Sequence, residues 1–188
     1  MIHFRHLSAA ALALPFLLAT LGSANADSFD TRFATAASHE VRVGVMYREP
    51  DGPETGFDVD VEALANVGWT FSIFDRLAAV RPLVGASIST EGYTHFGYAQ
   101  LALTVDVTER LFIEGAFGGT VHNGDTDGTD PNRLNLGCNL LFRESGTLGY
   151  RVTEQVSVMA TVSHSSNSGL CDFNRGMTNF GARVGFNF

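Results

Sequence analysis

The sequence contains no lysine: all 12 of its basic residues are arginine, they face 20 carboxylates, and the formal net charge is −8. So acidic a chain lacks the broad basic surface through which proteins hold nucleic acid, and any affinity for polyanions has to be local. Past the N-terminal segment no apolar run approaches the roughly 20 residues that a membrane helix needs, which excludes a helical membrane protein. No linker or shift in composition argues for a second domain. Cysteine is nearly absent, with only Cys138 and Cys171. In an oxidising compartment they are able to form one disulfide; two free thiols are the alternative.

What is present begins with an address. Arg5 precedes an apolar stretch from Leu7 to Leu21, which ends in the small-residue triplet Ala24-Asn25-Ala26. This is the pattern of a secretory signal peptide cleaved after Ala26. A membrane anchor is the competing reading, but the stretch is short and interrupted by Ser8 and Pro15. The expected organisation is a signal peptide over 1–26 and one β-barrel domain over 27–188.

From Val41 onward the hydrophobic period is two, with turn residues at intervals. Eight strands are expected: Glu40 to Arg48, Phe57 to Ser72, Ala79 to Thr90, His95 to Val107, Leu111 to Val121, Arg133 to Arg143, Leu148 to Ser165 and Met177 to Phe188. In the second, Phe57, Val59, Val61, Ala63, Ala65, Val67, Trp69 and Phe71 share one face, against Asp58, Asp60, Glu62, Asn66 and Thr70. The fourth and sixth repeat this pattern, and the last sets Phe180, Ala182, Val184, Phe186 and Phe188 against Asn179, Arg183 and Asn187. Successive side chains of a strand point to opposite faces, so each strand has one apolar and one polar side.

A soluble sandwich also alternates, and the connections discriminate. Links after strands one, three, five and seven are the longer ones, such as Glu49 to Gly56 and His122 to Asn132. Those after strands two, four and six are tight, as in Thr108-Glu109-Arg110 and Glu144-Ser145-Gly146-Thr147. Short turns on one rim and long loops on the other describe an all-β, eight-stranded antiparallel transmembrane barrel with its long loops outside the cell. Eight strands leave an interior just wide enough for side chains, so no solute pore is expected.

Strand seven carries the candidate chemistry. Its lipid-facing set Val156, Val158, Ala160 and Val162 continues into His164 and Ser166. Desolvating polar groups on such a wall costs on the order of a few kcal/mol each unless they find partners. A neutral imidazole two residues from a hydroxyl is able to take its proton as the serine attacks an ester. Asn167, Asn174 and the backbone around Gly169 are candidates for stabilising the oxyanion. The same residues also read as an interfacial histidine followed by a serine-rich turn.

His164-Ser165-Ser166-Asn167-Ser168-Gly169-Leu170 with Asn174-Arg175-Gly176 resembles the His-x-Ser-Asn-Ala segment and downstream Asn-x-Gly of the lipid A 3-O-deacylase (PagL) family. Arg81 to Ala86, Leu134 to Gly137, Phe142 to Glu144 and Leu148 to Arg151 also resemble its strand signatures, so the likeness spans about Val80 to Phe188. The resemblance implies an outer-membrane serine esterase of a Gram-negative bacterium that removes a 3-O-linked acyl chain from the lipid A of lipopolysaccharide, without cofactor or metal. By motif Ser166 is the nucleophile, His164 the general base, and Asn167, Gly169 and Asn174 the oxyanion region. A monomer or homodimer is expected, with no nucleic-acid partner.

The chain departs from the family at two places. Ser168 stands where Ala is usual, and Thr178 stands where the orienting Glu belongs, fourteen residues after the His. A carboxylate there would hold the imidazole tautomer and stabilise the imidazolium, so its loss bears on rate. Asp172 and Glu144 are candidate substitutes, as is a neutral partner, Thr178 or Asn179. Thr178 keeps open a second class of function, a non-enzymatic small barrel that binds lipid, stiffens the membrane or adheres. A Cys138–Cys171 disulfide would tether the catalytic loop to the neighbouring sixth strand. Arg133 and Arg175 at the external rim are candidates for gripping lipid A phosphates through their forked donors. Asp125, Asp127 and Asp130 resemble a calcium loop only superficially, and a solvated loop is the plainer reading. His39, His95 and His122 have no metal spacing.

Overall fold

The structure, a computed structural model, describes residues 33–48 and 52–188. The expected signal peptide and its cleavage after Ala26 lie outside the described residues. Among the described residues nine strands run β1 (Glu40–Arg48), β2 (Phe57–Leu64), β3 (Thr70–Ile73), β4 (Arg76–Ser89), β5 (Phe96–Asp106), β6 (Leu111–His122), β7 (Leu140–Arg151), β8 (Val156–Ser166) and β9 (Met177–Asn187). All pair antiparallel in the order β2-β1-β9-β8-β7-β6-β5-β4-β3, and β2 also pairs with β4. β2 and β3 are two parts of one stave lying along β4, so the sheet closes as an eight-stranded antiparallel barrel, the fold class the alternation predicts.

The expected unbroken second strand is interrupted, and the cause lies on its neighbour. Pro82 of β4 has no N–H to give the ladder. Pairing stops at Leu64↔Leu83 and resumes at Thr70↔Ala79, so the chain bulges over residues 65–69, through Gly68 at φ +79°. The stave then turns through Phe74 and Asp75, both at positive φ, as a two-residue hairpin matched to strand twist.

The expected sixth and seventh strands need a larger correction. Residues 123–139 form one loop, and Glu144-Ser145-Gly146-Thr147, expected as a turn, lies in the middle of β7 opposite Thr161 to His164 of β8. The Thr147 and Thr161 hydroxyls are 3.0 Å apart inside the barrel. The real turn is 152–155, where Thr153 Oγ1 accepts from the Gln155 and Val156 N–H groups. Leu134 and Leu136, expected on a lipid-facing strand, are instead buried with Phe96, Leu141 and Met177 at the long-loop ends of β5, β7 and β9. The rims keep the expected asymmetry, with short turns at 74–75, 107–110 and 152–155 and longer links at the other end.

Faces follow parity. Val41, Val43, Val45, Val59, Val61, Leu101, Val158, Phe180 and Phe186 are exposed on the outer wall. Tyr47 packs with Phe57 and Phe180 near the long-loop rim, at centroid distances of 5.1 and 5.4 Å, as an interfacial aromatic group does. The opposite parity fills the lumen with charge. Arg42 meets Glu114 through two bonds, 2.6 and 2.9 Å, and Glu40 at 2.7 Å; Arg81 joins Glu114 at 3.0 Å; Arg183 joins Asp60 at 2.8 Å and Glu62 at 3.0 Å. Tyr98 donates to Asp60 or Glu62 beside them.

Glu114 is the acceptor shared by two arginines and by Thr104, whose hydroxyl donates at 2.6 Å. Truncating it leaves two buried guanidinium groups short of a counter-charge, which costs about 3–5 kcal/mol. Glu114→Ala is therefore expected to lower barrel stability by that amount in urea titration in detergent micelles, and a loss under about 1 kcal/mol would contradict the shared role.

A candidate active site on the outer wall

β8 positions the two candidate side chains by its register alone. Ser157, Met159, Thr161, Ser163 and Ser165 are buried in the lumen, whereas Val158, Ala160 and Val162 are exposed and His164 and Ser166 half-buried on the outside. His164 and Ser166 thus look outward at the long-loop end of the strand. His164 pairs with Thr178 on β9, and its Nδ1 lies 2.9 Å from Thr178 Oγ1. The residue at the expected acid position therefore holds the ring. Among the described residues no hydrogen bond joins the imidazole to the Ser166 hydroxyl.

Gly176 fits the ring from above. Its φ is +67°, and a Cβ there would come within 3.1 Å of His164 Cε1 and 3.4 Å of Nε2. A side chain is thus disfavoured twice, by conformation and by space.

The loop after β8 is braced from within. Asn167 is buried; its Nδ2 donates to Leu136 O (2.9 Å) and Phe173 O (2.5 Å), and its Oδ1 accepts from Gly169 N (2.8 Å). Its own N–H donates to Asn174 Oδ1 at 2.9 Å. Ser168 and Gly169, both at positive φ, form the centre of a turn closed by Leu170 N to Asn167 O. This alters the expected oxyanion set. The Asn167 amide and the Gly169 N–H are already spent on the loop, while the Asn174 amide nitrogen and the Ser168 N–H have no partner among the described residues.

A disulfide joins Cys138 to Cys171, with Cα atoms 6.1 Å apart. Cys138 lies in the loop 123–139 and not on a strand as expected, so the bond ties one long loop to the other. Gly137, at φ +77°, lets that loop pass close against the Phe173 carbonyl, where a Cβ would collide. Beside Ser166, across the β7–β8 pair from it, Phe142 enters an apolar groove of about 270 Å³ lined also by Phe117, Gly118, Gly119, Leu140 and Leu170.

The two arginines expected to bind phosphate differ. Arg133 is committed elsewhere: its Nε bonds Glu54 at 2.7 Å and its Nη2 Thr94 Oγ1 at 3.2 Å. Burial pushes the Glu54 carboxyl up, but donors from Thr94, Arg133 and Leu134 outweigh it and hold the group below the ordinary carboxylate range. Arg133 is thus tied to the loop before β2 and to Thr94, partners that the sequence expectation did not include. Arg175 is exposed on the loop 167–176, where its N–H donates to Asn135 O at 3.2 Å. Asp125, Asp127 and Asp130 each accept a backbone N–H two residues on, as turn-forming aspartates do. His39, His95 and His122 likewise each accept a backbone N–H through Nδ1.

A closed barrel with an apolar wall, an ion-paired lumen and an imidazole–hydroxyl pair facing outward defines a small transmembrane β-barrel with candidate hydrolytic groups on its lipid side. The chain belongs to the lipid A 3-O-deacylase (PagL) family, whose model matches residues 47–187. The fold and the family support an outer-membrane location.

Among solved structures, the crystal structure of the outer membrane enzyme PagL is similar at a TM-score of 0.63 and 17% identity, covering 81% of this chain and 100% of that one. The N-terminal β-barrel domain of Pseudomonas aeruginosa OprF is similar at a TM-score of 0.54 and 13% identity, over 82% of this chain and 100% of that one. At these identities the likeness is one of fold. No curated protein sequence matches the chain.

Asn167 is the hinge pin of the loop scaffold. Asn167→Ala leaves two carbonyls without their donor, each worth about 1–3 kcal/mol if it stays buried and unpaired. Hydrogen exchange is expected to quicken in residues 134–139 and 167–176 and stay unchanged in β1 to β6. Unaltered exchange in both loops would refute the scaffold role.

Proposed function

We propose that this barrel is a serine esterase that removes an ester-linked acyl chain, the 3-O chain by family resemblance, from lipid A in the outer leaflet. The observation that carries the reading is the outward parity of His164 and Ser166, which exposes a base and a nucleophile to lipid rather than to the lumen. His164 Nδ1 lies 2.9 Å from Thr178 Oγ1, and in the tautomer with the proton on Nδ1 the hydroxyl oxygen accepts it and Nε2 is the basic nitrogen. On this reading the Ser166 hydroxyl closes onto Nε2 in the substrate complex, where catalytic hydrogen bonds often first form.

In that complex Ser166 Oγ attacks the ester carbonyl and its proton passes to Nε2. The Asn174 amide and the Ser168 N–H are the free donors for the oxyanion. Collapse expels the sugar hydroxyl, which takes the proton from the imidazolium, and leaves an acyl-serine. Water, deprotonated by His164, then releases the fatty acid and restores Ser166.

The groove along Phe117, Gly119, Leu140 and Phe142 gives the departing acyl chain an apolar bed next to the nucleophile. Bare barrel function remains the competing reading, favoured by the missing carboxylate at Thr178. Purified protein mixed with lipopolysaccharide in detergent separates the two. Lipid A is expected to lose the mass of one hydroxyacyl chain, and Ser166→Ala and His164→Ala each to abolish the loss. Unchanged lipid A with the folded wild-type protein would favour the non-enzymatic barrel.

Gly119 points outward on β6, and a Cβ there meets only Leu140 Cδ1 at 3.6 Å and Leu141 O at 3.7 Å. Gly119→Leu therefore fills the groove without breaking the ladder. Turnover of long-chain esters is expected to fall about tenfold or more while that of a short-chain ester is nearly kept, because a methylene displaced from an apolar pocket is worth about 1–3 kcal/mol. An equal fall for both chain lengths would remove the groove from the substrate path.

A further inference from the structure

Four residues form one row across the outer wall: Phe117 on β6 pairs with Glu144 on β7, Glu144 with His164 on β8, and His164 with Thr178 on β9. The imidazole thus stands between a hydroxyl that holds it and a carboxylate directly across the other strand pair. Directly opposed residues of an antiparallel pair have Cβ atoms about 4.5–5.5 Å apart, within reach of a glutamate side chain. Glu144 is exposed, and among the described residues it has no hydrogen bond and no ion pair. Its neighbour Arg143 cannot neutralise it, because that guanidinium turns into the lumen, bonds Ser165 Oγ at 3.2 Å and lies 4.2 Å over the Tyr98 ring. An unpaired carboxylate on a lipid-facing wall is costly unless a positive charge arises beside it.

We propose that Glu144 is a positioning residue for His164 and supplies, from β7, the negative charge that stabilises the imidazolium during ester attack. The proposal rests on His164 being the general base and Ser166 the nucleophile. The proton moves from Ser166 Oγ to His164 Nε2 and later to the leaving hydroxyl, and Glu144 is not on its path. Charge and orientation, which one glutamate supplies together elsewhere in the family, are here divided between Glu144 and Thr178. The charged residues of the loop 167–176 are Asp172 and Arg175, both exposed, while the outward residues that flank His164 on β8 and β9 are Val162, Ser166, Thr178 and Phe180, none of them charged. Asp172 is a loop residue outside the strand ladder, whereas Glu144 faces His164 by register.

The test is lipid A deacylation by the protein in detergent, followed by mass spectrometry. A carboxylate that stabilises the imidazolium acts on the transition state and not on substrate binding. Glu144→Gln is therefore expected to cut kcat about 10- to 100-fold with KM little changed. Glu144→Asp should keep most of the activity, and Asp172→Asn should leave kcat in place. Thr178→Glu should restore the rate in the Glu144→Gln background, because it returns a carboxylate to the ring from the other flank.

A kcat in Glu144→Gln within about twofold of wild type overturns the proposal, as does a Glu144→Gln loss that Thr178→Glu leaves unrescued. Heat-modified migration on gels checks that each variant has folded. Wild-type protein that releases no acyl chain would sink the parent reading. An active wild type whose Glu144→Gln variant is unaltered sinks only the role of Glu144.

Discussion

The constraint beneath this structure is that hydrocarbon offers no partner to a peptide N–H or C=O, so every backbone group inside the membrane has to be paired within the chain. Closing β2 onto β4 meets it, because it removes the last free sheet edge. Closure also fixes what each side chain sees, since parity sends one set to lipid and the other to the lumen. Arg42, Arg81 and Arg183 are buried because the strands leave them nowhere else to point, and the carboxylates of Glu40, Asp60, Glu62 and Glu114 come with them. Such pairs are weak evidence of net stability, but breaking one is expensive. The lumen is lined by paired charges, whereas the candidate chemistry stands on the wall near the rim.

On that wall a polar group is conspicuous. Glu144, His164, Ser166 and Thr178 stand among Phe117, Phe142, Val162 and Phe180, and they gather on adjacent strands at the long-loop end. The strands supply rigidity and the loops supply shape. His164 is held by Thr178 from β9, while the segment from Asn167 to Gly176 is pinned by the Asn167 amide, the disulfide and the close passage at Gly137. A group on a membrane-facing strand near the rim needs little enclosure by protein, because the bilayer forms its outer boundary.

How far this could be seen in the residues alone depended on period and spacing. Alternation in Phe57 to Ala63 and Phe180 to Phe188 fixes faces correctly, and the His164–Ser166 parity needs only a short stretch of one strand. Register over longer distances was less legible. Glu144-Ser145-Gly146-Thr147 carries turn chemistry, yet it sits mid-strand because Thr147 bonds Thr161 in the lumen and its neighbours complete the ladder. Placing a turn there detaches Glu144 from the wall, which is why its position opposite His164 was not visible. Likewise, Arg133 reads as a rim charge until Glu54, nearly eighty residues away, is seen to hold it. Partners distant in sequence leave no local signal.

The exchange of glutamate for threonine at position 178 then has a physical meaning that the motif alone does not give. A carboxylate there would supply orientation and charge together, and threonine supplies orientation only. A base without a counter-charge has to build an imidazolium in a medium of low polarity, where an unpaired ion is at its most expensive. Under the proposed function, either the missing charge comes from a neighbouring strand or the chemistry is slow. In an antiparallel wall each residue has two cross-strand neighbours, so a function lost on one flank is recovered most directly from the other. On the flank away from Thr178, that neighbour is a glutamate.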